Sequence, residues 1–438
     1  MQSDADYLLS LQAVRANAAK VLDAATKGEL HHFDYDASRM SEVADFVTGV
    51  IKRDFGPDRF NEIPPHGRWQ HFNVGGVQRV DQLLSKWRGD GYENVEVTRR
   101  LIDLFFVSVL LDAGAGDHWR FKEPGTEEYY VRSEGIAVAA LYMFKAGAFV
   151  SKGAEPDEVD GESTYLHASR GYGLQRLTEE TFNEFYQISP ENPMVGVPSR
   201  VRLLNDLGTS LLQLPEIFGE SGRPGNLVDY LIRSAGDSKK LDYEDLWSSL
   251  QQVLIPSWPK ERTNIEGQPI GDAWPLAVLA EKAEDKSPRN TIQPFHKLTQ
   301  WLSYSLMVPF VRLLGYEWDN AELGTGLPEY RNGGLFVDLK VLVLKKDVLE
   351  EGIKTSGEAL PGYDAASDVI VEWRAMTVAL LDELYRTISA EFKKEGVTLS
   401  MAQMLEAGTW KSGRELAAKY RPETKSSPIL TLGDGTLY

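Results

Sequence analysis

Residues 294–344 read PFHKLTQWLSYSLMVPFVRLLGYEWDNAELGTGLPEYRNGGLFVDLKVLVL. Phe295, Leu298, Leu302 and Leu306 recur at spacings of three and four, which places them on one face of a helix. His296, Gln300 and Tyr304 sit four apart and line an adjacent strip. Asp319, Gly324 and Gly326 mark a loop. Glu329-Tyr330-Arg331-Asn332-Gly333-Gly334 follows, a polar run ending in paired glycines. Paired glycines permit a sharp turn or a close backbone approach to a ligand. A carboxylate, a phenol and a guanidinium side by side make a candidate reaction centre. The competing reading is a helix cap with a surface ion pair. Leu335 to Leu344, dense in Val and Leu, is the one strand-like run.

Working outward, helical spacing dominates. Tyr7, Leu8, Leu11, Val14, Ala18, Val21 and Leu22 predict a helix over 5–27. Further helices are expected over 41–53, 77–87, 98–112, 132–144, 178–186, 225–235 and 243–254, and from Pro198 onward. Two more follow Gly362, one striped by Val369, Trp373, Met376, Leu380 and Leu384, the other over 399–419. The run RRLIDLFFVSVLLD is apolar on nearly all sides and predicts a buried central helix. Asp112 ends it, where the helix dipole disfavours an anion, so its carboxylate needs partners. Arg79 lies early in its helix, the wrong end for a cation, and needs a partner or a ligand. Residues 151–163 read as an exposed loop, 255–275 as irregular, 281–291 as charged and solvated, and the chain from Pro422 as a tail. The expected fold is mainly α and multi-helical, with a minor β element near 335–344. Residues 1–345 form the expected catalytic region, and 346–438 a helical extension packed on it as one structural unit.

The totals narrow the function classes. The chain has 438 residues, no cysteine and a net charge of -18. Disulfides, thiol nucleophiles, zinc-thiolate sites and iron–sulfur clusters are excluded. An acidic surface repels phosphate backbones, and no dense basic block offsets it, so no nucleic-acid partner is expected. Leu101 to Leu111 is too short to cross a bilayer and contains Asp103, so no membrane partner is expected either. The acidic, polar start MQSDADYLLSLQ reads as a cytoplasmic protein rather than a secreted one. Walker, H-E-x-x-H and G-x-S-x-G motifs are absent; Gly171-Tyr172-Gly173 lacks the third glycine of a dinucleotide loop. Adjacent His31-His32 with Asp34 and Asp36 is a candidate metal cluster, opposed by the difficulty of aiming adjacent side chains at one ion. Neither metal nor cofactor is assigned. Trp69, Trp119 and Trp301 neighbour polar candidates and offer stacking faces for a planar ligand.

The motifs GRWQHFNVGG (67–76), LLDAGAGDHWRF (110–121), RSEGIAVAAL (132–141), PSRVRLLNDLG (198–208), FHKLTQWLSYSL (295–306), LPEYRNGGLFVDL (327–339) and VEWRAMTVALLDEL (371–384) carry a resemblance over nearly the whole chain. The chain resembles the uracil-catabolism, urg3-like family of fungi and bacteria, long carried as a domain of unknown function. Its motif order is also similar to the queuosine-salvage nucleoside glycosidases, whose helical fold resembles helix-hairpin-helix DNA glycosylases. Leu111-Asp112 with Trp119 looks like their first element, Arg200 to Gly208 like the second, and Phe295, Lys297 and Gln300 like the third. Glu329-Tyr330-Arg331 falls where their catalytic Asp-Tyr-Arg stands. Glu in place of Asp adds one methylene, and Asn332-Gly333-Gly334 replaces Val-Pro-Gln, so the substrate is expected to differ from queuosine.

The resemblance implies a step in non-reductive uracil breakdown, where the pyrimidine ring opens while still bound to ribose. An N-ribosyl hydrolase releasing urea from ribosylurea or its 5-phosphate fits that step. Such chemistry passes an oxocarbenium-like state and needs a carboxylate at the anomeric carbon. Glu329 is assigned that role, with Asp338 the second choice. Asp112 and Asp117 are assigned to ribose hydroxyls, and His71, His296 and Gln300 to the urea group. Arg79 or Arg200 is assigned to a phosphate. Trp119, Tyr330, Arg331 and Asn332 complete the binding set. The expected partner is a small ribosylated substrate, with homo-oligomer formation left open. Two other classes stand beside this one: a metal-dependent amidohydrolase acting on a ureido intermediate, and a non-catalytic binding protein of the same pathway. For Arg374 and Glu372 the expectation is a structural pair on the last long helix.

Overall fold

A computed structural model describes residues 2–112, 115, 116, 118–150, 170–259 and 262–433. The fold is mainly α, as expected. Strands occur among the described residues only as six two-stranded pairs. The chain divides into two compact units. The first comprises the described residues within Met1–His66, Glu261–Gln300 and Glu322–Gly433. The second comprises those within Gly67–Lys260 and Trp301–Ala321. Residues 346–433 thus group with the N-terminal stretch.

The first unit is organised on the helix Asp368–Lys394, which buries Val369 through Leu381 without a break. The helices Leu11–Thr26, Met40–Phe55 and Tyr330–Asp338 pack against it. The single helix expected over 5–27 is two, Asp4–Leu8 and Leu11–Thr26. Ser10 makes the break: its side chain accepts from Ala13 N and caps the second helix, an energy of roughly 1 kcal/mol that favours interruption.

The strand expected over 335–344 is mostly helix. Tyr330–Asp338 is α-helical, and only Leu342–Leu344 is a strand, antiparallel to Phe33–Tyr35. Glu329 caps the helix N-terminus, and Leu335 and Phe336 are buried within it. A short consecutive apolar run does not distinguish the two states, and the cap upstream decides it. The expected C-terminal tail is also corrected. Ile429 is buried and Leu430–Leu432 adds a parallel strand to Gly362–Asp364.

The paired glycines lie inside the helix Tyr330–Asp338 rather than in a turn. A Cβ on Gly333 would lie 2.7 Å from the Trp373 ring, and one on Gly334 3.0 Å from Pro428. Trp373 Nε1 donates to Gly333 O at 3.2 Å. The glycines let two helices close. Gly333→Ala is therefore expected to lower stability by about 1–3 kcal/mol through overpacking, measured by urea denaturation.

The second unit is organised on Asn94–Leu110, buried along Val97–Leu110 except at Arg99. The helix Arg132–Lys145 packs against it. Asp103, inside this apolar helix, meets Arg223 Nε at 2.7 Å and accepts from Gly225 N at 2.8 Å. Burial pushes its carboxyl up to about 6, with Arg223 pulling the other way. The helices Val197–Leu212 and Tyr243–Leu254 complete the layer, and Lys240–Asp242 pairs in parallel with Glu317–Asp319.

Candidate functional site

The polar candidates fall into two sets, one in each unit. In the second unit the centre is Arg68, on the short helix Arg68–Phe72. The side chain is wholly buried and lies over the Phe72 ring at 6.0 Å. Nε donates to Ser108 Oγ at 2.9 Å and Nη2 to Ser108 O at 2.9 Å. Nη1 donates to Asp112 Oδ2 at 2.9 Å and to His71 Nδ1 at 3.1 Å. A guanidinium only donates, so His71 Nδ1 is the acceptor and the imidazole proton resides on Nε2. The imidazole packs against Trp301 with ring centroids 5.5 Å apart. Asp112, beyond the C-terminal end of Asn94–Leu110, thus has the cationic partner its position demands.

Arg200 serves that same helix end. Its Nη1 donates to Leu111 O and its Nε to Val195 O at 3.2 Å. A buried cation at a helix C-terminus satisfies terminal carbonyls and complements the dipole. Tyr186 lies in the field of these groups. Burial pushes its phenol well above the usual tyrosine range; Arg68 and Arg200 oppose the shift and Asp112 adds to it. Trp119 stacks on Tyr186 at 5.8 Å and donates from Nε1 to Tyr186 O at 2.8 Å. The structure therefore brings His71, Asp112, Arg200 and Trp119 together around Arg68 and Tyr186. Asp117 lies outside the described residues, as does the expected loop 151–163.

Arg79 is apart from this group in its bonding. Nε and Nη2 clasp Glu123 at 2.8 and 2.5 Å, Nη1 donates to Phe72 O and Val74 O, and Nη2 also reaches Tyr130 Oη. All five N–H donors are spent on the protein, which leaves none for a phosphate. The expected phosphate role for Arg79 is corrected on that count.

In the first unit, Glu329 is the N-cap of Tyr330–Asp338. Its Oε2 accepts from Arg331 N at 2.7 Å and its Oε1 from Asn332 N at 2.6 Å. Glu329 is buried, at 8% exposure. The helix cap of the competing reading is therefore present. Asn332 is fully buried, and its Nδ2 donates to Leu327 O at 3.1 Å. Its Oδ1 has no hydrogen-bond partner among the described residues. An unsatisfied buried amide oxygen costs about 1–3 kcal/mol. The Arg331 guanidinium lies over the Tyr330 ring at 4.8 Å and donates to Lys425 O at 2.9 Å. Asp338, the second-choice carboxylate, is held bidentately by Arg421 at 2.8 and 2.6 Å.

His296 and Gln300 hold backbone in place. His296 precedes the helix Lys297–Leu314, sits at φ 46 and donates from Nε2 to Leu8 O at 2.7 Å. Burial holds its imidazole below the usual histidine range, against the carbonyl contact that favours the proton. Gln300 Oε1 accepts from Thr325 N at 2.9 Å, and Nε2 donates to Thr325 Oγ1 at 2.8 Å.

Two groups escaped the reading of the residues. Arg68 lies inside the GRWQHF motif, and its signal is a cation directly before Trp69 and four residues before Phe72. The other is Asp272, in the irregular segment GDAWP. Arg374 clasps it with two bonds of 2.8 Å, and Trp274 Nε1 and Lys297 N also donate to it. The expected Arg374–Glu372 pair is thus corrected. Residues two apart on a helix point to different faces, and Glu372 accepts instead from the backbone N of His31 and His32.

A family model described as "Protein of unknown function (DUF1688)" matches residues 7–438. Protein urg3 of Schizosaccharomyces pombe is 48% identical over 432 residues, covering 98% of each chain. Uracil catabolism protein 4 of Lachancea kluyveri is 40% identical over 447 residues, covering 99% of this chain and 98% of its own.

Proposed function

This chain belongs to the DUF1688 family, and from that premise we propose that it acts in uracil catabolism as an N-ribosyl hydrolase. The substrate is a ring-opened pyrimidine nucleoside or nucleotide, ribosylurea or its 5-phosphate. Water adds to C1′, the C1′–N bond breaks with its electron pair going to nitrogen, and that nitrogen takes the proton lost by water. The products are urea and ribose or ribose 5-phosphate.

The observation that carries this reading is the carboxylate of Glu329. Two backbone N–H groups at 2.6 and 2.7 Å fix its orientation at a helix N-terminus. Charge-assisted bonds of that length hold a carboxylate in one pose, and a preorganised anion is what a developing oxocarbenium centre requires. Asn332 supplies a buried amide beside it. Asp338 is the weaker candidate because the bidentate Arg421 guanidinium offsets its charge.

The test is a turnover assay. Purified protein incubated with synthetic ribosylurea or its 5-phosphate is expected to release urea and the matching sugar in equal amounts. Neither compound yielding urea would overturn the proposal.

A further inference from the structure

The His31-His32 pair is not used by the reaction proposed above, yet it is built with more care than a surface pair requires. Asp34 and Asp36 do not supply its ligands: Asp36 instead caps the short helix Ala37–Arg39, accepting from Ser38 N at 3.0 Å. The neighbours come from two distant segments of the same unit. His32 Nε2 meets Asp368 Oδ2 at 2.9 Å, and His31 Nε2 meets Glu281 Oε2 at 3.0 Å. The two imidazole centroids are 6.1 Å apart. One ligand atom each from His31, His32 and Asp368 lies within 4.8 Å of the others.

The objection that adjacent side chains diverge is met by the backbone. Glu372, fully buried, accepts from His31 N at 2.9 Å through one oxygen and from His32 N at 2.8 Å through the other. Two consecutive N–H groups aimed at one carboxylate fix the peptide units between them. Asp368 lies one turn before Glu372 on the helix Asp368–Lys394, so one helix face both holds the backbone and offers a ligand. The other oxygen of Asp368 is itself held, accepting from Ala277 N at 2.8 Å. Ala277 opens the helix that carries Glu281. Outer contacts of this kind orient metal ligands.

We propose that His31, His32, Asp368 and Glu281 form a binding site for one divalent cation of the zinc class. Two imidazoles and two carboxylates suit four-coordinate zinc, whereas magnesium and calcium prefer all-oxygen shells. Tetrahedral zinc spaces its ligand atoms by about 3.3 Å, so small side-chain rotations close the cluster on the ion. The side chains of His31 and His32 are 28% and 21% exposed, which gives a cation access. The bound ion would tie the N-terminal segment to the first turn of the longest helix.

The test uses the full chain stripped with chelator, then dialysed against Zn²⁺ or titrated with Co²⁺. Wild type is expected to bind one equivalent of zinc and to give the strong visible bands of four-coordinate cobalt, with no saturable Mg²⁺ binding. His31→Gln, His32→Gln and the exposed-site variant Glu281→Gln are each expected to weaken zinc binding by more than about tenfold. Glu281→Gln keeps the test decisive even where a histidine variant misfolds, since Glu281 is the most exposed of the four. Absence of saturable zinc binding in wild type, or wild-type affinity retained in folded variants, would overturn the proposal.

Discussion

Glu329→Gln is expected to reduce urea release from ribosylurea by roughly a hundred- to a thousandfold in kcat, the usual loss when one preorganised electrostatic group is removed. The same substitution touches the cap of Tyr330–Asp338, because both oxygens accept backbone N–H groups. Glutamine keeps one oxygen acceptor, so the stability loss is expected near 1 kcal/mol. A thermal melt beside the kinetic assay separates the effects. A large rate loss with a small melting shift supports a catalytic carboxylate. A rate unchanged in Glu329→Gln would remove Glu329 from the reaction and make Asp338 the next residue to test.

The second large effect is on stability. Asp272 and Arg374 are buried, joined by two bonds of 2.8 Å, and Arg374 also lies over the Phe295 ring at 3.9 Å. Removing one partner strands the other charge in a dry interior, at a cost of about 3–5 kcal/mol. Asp272→Leu or Arg374→Leu is expected to show that loss in denaturant unfolding. The double replacement is expected to recover part of it, because no lone charge remains. Burial raises the Asp272 carboxyl, but attraction and hydrogen bonds from Arg374 outweigh it and hold the group well below its ordinary 3.8. A depressed acid contributes stability that is fully present above its unfolded value. That contribution disappears as pH falls from about 4 toward the folded value. Wild type is therefore expected to lose stability with acid below pH 4, and Asp272→Asn to show a shallower loss there. Equal slopes in the two proteins would contradict this role for the pair.

The helices were legible because their signals are local. Asn94–Leu110 announced itself by an apolar run with no polar face, and Glu179–Phe185 by its Thr178 cap. The strand expected at 335–344 failed because Leu335, Phe336 and Val337 are consecutive, a pattern both states share. The deciding residue, Glu329, acts six positions upstream. The break at Ser10 was missed for the opposite reason, since an apolar stripe continues across it while one capping bond interrupts the backbone.

Site legibility followed the same division. Asp112 stands out as an acid ending an apolar helix, and His71 through the motif that carries the resemblance. Their joint partner Arg68 could not be assigned, because its contacts with Ser108 and Asp112 span 40 residues or more and no periodicity encodes such pairing. The same holds for Arg374, where nearness in sequence suggests Glu372 and the fold delivers Asp272 from 102 positions away. Charge pairing across a chain is fixed by packing, so sequence reveals that a buried charge needs a partner without revealing which one.

The central claim, cleavage at the ribose–nitrogen bond, is tested most directly with ribosylurea carrying ¹³C in its carbonyl and at C1′. NMR during turnover by the wild-type protein is expected to show the carbonyl label moving into intact urea while the C1′ signal becomes that of free sugar, at one shared rate. Carbonyl label appearing in bicarbonate while C1′ still bears nitrogen would identify an amidohydrolase and contradict the account.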